Sequence, residues 1–212
     1  MSSKAGDLLR WIEWILLFIL TPVILFFIPL TVPMLPCLLA ISIGCAVVLL
    51  RDPTFIRSRL WTLGPFKSFA RILLLRALLT TIFLVGLLSI FDPTLLLNFL
   101  REKPKIWLLV MVFYPLFSAY PQELIYRAFF FHRYQVLFRT EAGIIWASAI
   151  AFAFMHIIFR NPVAPLLTLP GGYLFATTYT RTRSLLITGI EHALYGDLVF
   201  TIGLGIYFYK GV

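Results

Sequence analysis

The sequence predicts an all-α, polytopic bundle of about seven to eight transmembrane helices, and three observations carry that prediction. First, 61% of the 212 residues are apolar and only 13% are charged, with a mean hydropathy of +0.96. A soluble domain carries about 25% charged and about 45–50% apolar residues, and a sphere of this size cannot hide so much apolar surface from water. Free globular, disordered and collagen-like chains are excluded. Second, the apolar residues gather into runs near the length of a bilayer crossing, about 20 residues. Third, these runs lack the apolar–polar alternation of barrel strands. In lipid a backbone must satisfy its own polar groups, so the runs are helices.

The runs lie near 11–30, 33–50, 72–91, 106–120, 121–138, 142–159, 163–180 and 185–209. The first is too long for the apolar part of a cleavable signal and is expected to remain as a span. Pro29, Pro33 and Pro36 separate it from the second. Asp92-Pro93 ends the third, and Arg160-Asn161-Pro162 ends the run that starts at Ala142. Pro115 and Pro121 interrupt the stretch after Pro104. Residues 106–120 either cross alone or join 121–138 in one long kinked helix, since fifteen residues is short for a span. There is no internal repeat. The chain divides into N-terminal helices with a basic loop, 1–105, and a helical core, 106–212, within one membrane domain.

The net charge of +9 is first a topology signal, because Lys and Arg stay on the cytoplasmic side. Arg51, Arg57, Arg59, Lys67 and Arg71 stand against a single Asp52, so this loop is placed in the cytoplasm with Lys4 and Arg10. Joining 106–120 to 121–138 also brings Arg133, Arg139, Arg181 and Arg183 to that side. The basic residues are scattered over short loops with no accompanying fold motif, which excludes nucleic acid as a partner. Cys37 and Cys45 would be about 12 Å apart on a helix, too far for a disulfide, and read as core residues. The location is an integral multi-pass one, the inner membrane if the source is bacterial.

Against this apolar background the stranded polar residues are informative, since charge within a span is expensive and marks function by default. They are Arg76, Gln122, Glu123, Arg127, His156, Glu191, His192 and Asp197. Pro121 suits the first turn of a helix, which would put Glu123 at a helix N-terminus where the dipole favours a carboxylate. Arg127 follows at i+4, the favoured order for an ion pair. That pair could simply steady a buried helix. Phe152 and His156 share a face at i, i+4. Helices 121–138 and 142–159 meet at a tight turn near Arg139–Glu141, so Glu123 and His156 lie at nearly equal depth, each about 25 Å from the turn. A carboxylate facing an imidazole there can hold a water. Asp197 falls near that depth and His192 about a turn and a half away; pairing of His192 with Glu191 or Asp197 could also be helix glue.

Other chemistries fit worse. There is no His-Glu-x-x-His zinc signature, no Gly-x-Ser-x-Gly elbow and no phosphate-cradling glycine loop. An aspartyl protease needs two facing aspartates, and Asp197 is the single Asp deep in an apolar run.

At these residues the sequence resembles the CAAX protease and bacteriocin-processing (CPBP, or Abi) family of intramembrane proteases, which includes the Rce1-like prenyl proteases. The family pattern is Glu-Glu-x-x-x-Arg, then Phe-x-x-x-His, then His-x-x-x-Asn or Asp. Here it reads Gln122-Glu123-Leu-Ile-Tyr-Arg127, Phe152-Ala-Phe-Met-His156 and His192-Ala-Leu-Tyr-Gly-Asp197. The resemblance covers about 106–209 and implies a peptide hydrolase with its site inside the membrane. Its substrate would be a membrane-embedded or lipidated peptide. Glu123 and His156 would activate a water, Gln122 would orient it, and His192, oriented by Asp197, would donate to the oxyanion. Two departures stand out. Gln122 replaces the first glutamate, and an amide cannot accept a proton; the alternative is therefore a weak or inactive member acting as a membrane binding or immunity protein. Asp197 comes at i+5, about 140° off the His192 face, unless a π-bulge at Gly196 brings it back. Glu123, His156 and His192 could supply a three-ligand zinc site; Arg127 would oppose the cation, and hydrolysis by these residues requires no metal.

Overall fold

A computed structural model describes residues 4–27 and 33–208. The break expected at Pro29, the first three residues and the end of the last apolar run from 209 lie outside them. The protein is an all-α membrane bundle, with no strand among the described residues. Eight helices follow in order: α1 Lys4–Phe27, α2 Met34–Arg51, α3 Phe66–Phe91, the short α4 Asn98–Glu102, α5 Pro104–Phe138, α6 Glu141–Phe159, α7 Val163–Thr182 and α8 Leu185–Ile202. All but α4 and α7 are long and apolar enough to cross a bilayer. It is a multi-pass integral membrane protein.

Residues 106–120 and 121–138 join into the single helix α5. At 1.5 Å per residue it runs about 52 Å, well beyond a bilayer's apolar core of about 30 Å. The two prolines that suggested a break lack an N–H for the helical ladder. Widened π turns at Pro115–Ala119 and Leu124–Phe129 carry the chain past them. Pro121 therefore lies inside a helix, and Glu123 is not at a helix N-terminus, contrary to expectation. The other turns fall where expected, at Arg139, Arg160 and Arg183, each in a left-turning conformation with φ of 54°, 57° and 50°.

Helix α7 is packed into the bundle although threonines dilute its hydropathy. Thr168, Thr180 and Thr182 each donate to the carbonyl four residues back, at 2.8–2.9 Å, so their hydroxyls are satisfied within the helix. Helix α6 packs closely on α7 because Gly172 lies against the Ala149 backbone, where a Cβ would approach to 3.2 Å. The lipid-facing surface is apolar: Leu74, Leu75, Leu78, Leu79, Ile82 and Phe83 all stand exposed on α3. Helix α2 is likewise mostly peripheral, so Cys37 is exposed and Cys45 only half-buried. Neither belongs to the buried core, which corrects the reading of both as core residues; they are free, as their spacing required.

Polar ties gather at one end of the bundle. Arg133 of α5 grips Glu13 of α1 through two hydrogen bonds of 3.1 and 2.7 Å, joined by the Tyr134 hydroxyl at 2.8 Å. His132 meets Asp52 at 2.8 Å. Hydrogen bonds from the Thr54 hydroxyl and from His132 hold the Asp52 carboxyl well below the usual carboxylate range. The loop between α2 and α3 dips inward, where Tyr120 donates to the Leu60 carbonyl and Ser184 to that of Thr62. This end collects the basic loop and the C-termini of α5 and α7.

The α5–α6 turn offers a local test. Thr140 is the N-cap of α6 and accepts from the Gly143 N–H at 3.0 Å. Thr140→Ala is expected to cost about 1 kcal/mol, read from thermal unfolding in detergent.

Candidate active site

The π turns of α5 decide which way its polar residues face. Tyr114, Ser118 and Gln122 succeed one another at i, i+4 and i+8 and together line a cavity of about 380 Å³. The Gln122 amide nitrogen donates to Ser118 Oγ at 2.8 Å. Glu123, one residue further, is turned about 100° around the helix. It is fully buried and does not line the cavity.

Glu123 is committed on both oxygens. Oε2 lies 3.0 Å from Arg127 Nε, and both side chains are completely buried. Oε1 accepts from His192 Nδ1 at 2.9 Å. The Arg127 guanidinium also donates to Ser148 Oγ and the Tyr126 carbonyl, and lies 5.2 Å over the Phe152 ring. Removal of a charge from water is costly, and here a paired charge, hydrogen bonds and an aromatic face offset it. The i+4 pair read from the sequence is present. The direct partners of Glu123 are Arg127 and His192, not His156. Equal depth set the height of the two side chains but not their azimuth, and Glu123 turns toward α8.

His192 is therefore the partner of Glu123, not a residue displaced by a turn and a half. Its ring stacks on Phe175 with centroids 4.6 Å apart and planes 18° apart. Arg127 pairs with Glu123 Oε2 as an ion without a hydrogen bond, so Glu123 is a carboxylate whose Oε1 accepts, and His192 carries its proton on Nδ1. Nε2 faces the Tyr114 hydroxyl at 3.0 Å.

His156 opens the tight last turn of α6, His156–Phe159. Its Nδ1 lies 2.7 Å from the Phe152 carbonyl oxygen. A carbonyl only accepts, so Nδ1 holds the proton and the neutral ring offers a lone pair at Nε2. His156, His192 and Gln122 all line the cavity.

Asp197 stays apart. Helix α8 is regular through Gly196, with no π-bulge, so Asp197 remains off the His192 face. Its Oδ1 is buried without a hydrogen-bond partner. Glu191 does not pair with His192 either. Its carboxylate meets Arg76 of α3 at 3.3 Å, and Arg76 also donates to Thr178 of α7 at 3.2 Å. Arg76 and Glu191, both singled out as stranded charges, thus form a second, part-buried pair tying three helices. The sequence signal missed Tyr114, Ser118, Ser148 and Phe175. A tyrosine or serine in an apolar run carries no charge to flag it, and only the long joined α5 brings Tyr114 near His192.

The proposed zinc donors do not fit together. Glu123 is paired with Arg127 and His192. Among the described residues no three His, Cys, Asp or Glu side chains are gathered as a metal set.

Fold and site together define a polytopic helical membrane protein whose polar centre lies inside the bundle. Residues 103–196 match the family described as type II CAAX prenyl endopeptidase Rce1-like, so this segment is similar to that family. That family is one of CAAX-type intramembrane proteases. The match runs from the start of α5 to Gly196, so it takes in Gln122, Glu123, Arg127, His156 and His192 and stops before Asp197. Comparison with curated proteins and with solved structures gave no match.

Proposed function

We propose that the protein hydrolyses a peptide bond of a membrane-embedded or lipidated substrate within this cavity. The observation that carries the reading is the convergence of Gln122, His156 and His192, from three helices, on one cavity. Its volume lies within the range of about 300–1,000 Å³ common for ligand sites. Phe83 of α3 and Leu166 of α7 line it while being 66% and 70% exposed on the lipid-facing surface. A lipid-anchored chain would reach the site between these two helices.

In this mechanism a water stands between His156 Nε2 and the Gln122 amide. Nε2 takes a proton as the water oxygen bonds to the substrate carbonyl carbon, leaving a tetrahedral oxyanion. His156 then gives that proton to the amide nitrogen as the C–N bond breaks. His192, its Nδ1–H held by Glu123, stands at the carbonyl side of the cavity and positions the group that donates to the oxyanion, and Arg127 holds Glu123 in place. Glu123 and Arg127 are positioning residues here, and Asp197 has no assigned step. The chemistry uses no metal. The test is cleavage of a fluorescence-quenched, lipid-anchored peptide by the purified protein in nanodiscs. His156→Ala is expected to lower the rate by about 10²–10⁴; cleavage at the wild-type rate overturns the role.

A second reading rests on Gln122, which stands in the cavity as an amide while the neighbouring carboxylate is committed elsewhere. Such a site could bind a membrane peptide and cut it slowly or not at all. It predicts peptide capture that survives His156→Ala, with no product formed by either protein.

A further inference from the structure

Tyr114 lies 78 residues from His192 and outside every motif of the sequence. We propose that its hydroxyl donates a hydrogen bond to the carbonyl oxygen of the bond being cut, from the space that a side chain at position 196 would otherwise fill. This rests on the hydrolytic reading above.

Position 196 is one turn beyond His192 on the same face of α8, where i and i+4 side chains meet. It holds glycine, and α5 supplies what that helix lacks. A Cβ at Gly196 would overlap the Tyr114 ring and its hydroxyl. The phenol therefore occupies the place of the missing side chain. Its ring is fixed edge-on against Phe200, with centroids 5.4 Å apart, and edge-on against His192 at 6.1 Å. The hydroxyl reaches His192 Nε2 at 3.0 Å, and both residues line the cavity. Glycine is required at 196 because the aromatic ring uses its space, not because the helix needs an unusual backbone there.

The proton positions give the hydroxyl its role. Glu123 accepts from Nδ1, so neutral His192 offers a lone pair at Nε2 and Tyr114 O–H donates to it at rest. A substrate carbonyl beside that pair competes for the same hydrogen. As negative charge develops on the carbonyl oxygen it becomes the stronger acceptor, and the O–H turns to it by rotation about one bond. No proton leaves the phenol. In a dry site such a donor contributes far more than it would in water.

Three measurements decide the matter on the intact protein in nanodiscs. Tyr114→Phe keeps the ring that packs on Gly196 and removes only the hydroxyl. It is expected to lower kcat by about 10²-fold, as for loss of one oxyanion donor, while KM stays within about twofold and thermal stability is kept. With 15N-labelled histidine, the same variant shifts the His192 Nε2 resonance downfield and leaves Nδ1 in place. The swap Tyr114→Ala with Gly196→Asn restores an amide donor to the emptied space and recovers about tenfold over Tyr114→Ala alone. Wild-type kcat in Tyr114→Phe, an unmoved Nε2 signal, or a swap no better than Tyr114→Ala overturns the assignment while leaving hydrolysis intact. Absence of cleavage by the wild-type protein overturns the hydrolytic reading instead.

Discussion

Replacing Gln122 by glutamate raises the cleavage rate by about 10²-fold, the lower end of what a positioned general base contributes. The side chain already lines the same cavity as His156 and differs from glutamate by one group. An amide can orient a water but has no basic atom for its proton. A carboxylate at the same reach would accept it and leave His156 to serve the leaving nitrogen. The substitution also separates the two readings of the site. A handicapped hydrolase speeds up; a peptide-binding protein with an otherwise incomplete site gains cleavage only if the remaining residues are competent. The measurement is the initial rate on the lipid-anchored peptide across pH. The gain should appear once the new carboxyl ionises, so activity rises with pH through its titration. An unchanged rate at every pH sinks the view that residue 122 faces the reacting water.

The largest effect on stability is expected at Arg127. Arg127→Met leaves Glu123 buried with no guanidinium and removes the donors to Ser148 and the Tyr126 carbonyl. Breaking one side of a buried ion pair costs about 3–5 kcal/mol. Glu123→Gln combined with Arg127→Met removes both charges and should recover most of that loss, a coupling that a double-mutant cycle measures. Denaturation in mixed micelles reads both. Additive losses would show that the two charges are not coupled and that Arg127 holds the bundle through its other contacts. Arg127→Lys is not expected to substitute, because a lysine lacks the fork that reaches Glu123, Ser148 and the Tyr126 carbonyl together.

The difference between the expected and the observed partner of Glu123 is instructive. Counting residues from the Arg139 turn gives depth along a hairpin, and by that measure Glu123 and His156 are level. Depth says nothing about rotation. Two π turns shift the register of α5 so that Gln122 faces the cavity and Glu123 faces α8. A π turn inserts one residue into a helical turn without changing the hydrophobic character of the run, so composition cannot reveal it. Asp197 fails for the opposite reason: α8 stays regular, and the bulge that would have redirected it is absent. Arg76 and Glu191 were each visible as stranded charges, 115 residues apart. Their pairing needed α3 beside α8, a contact that no local pattern encodes.

What the sequence by itself determined is the membrane bundle, its basic loop, the Glu123–Arg127 pair and the residues among which a site must be sought. Each follows from a local or additive property: apolar length, charge count, or a four-residue helical repeat. Tertiary structure alone decided that Glu123 backs His192, that Gln122 rather than Glu123 lines the cavity, and that Tyr114 fills the space left by Gly196. Those outcomes depend on the azimuth of helices against one another, which close packing sets through many weak contacts at once.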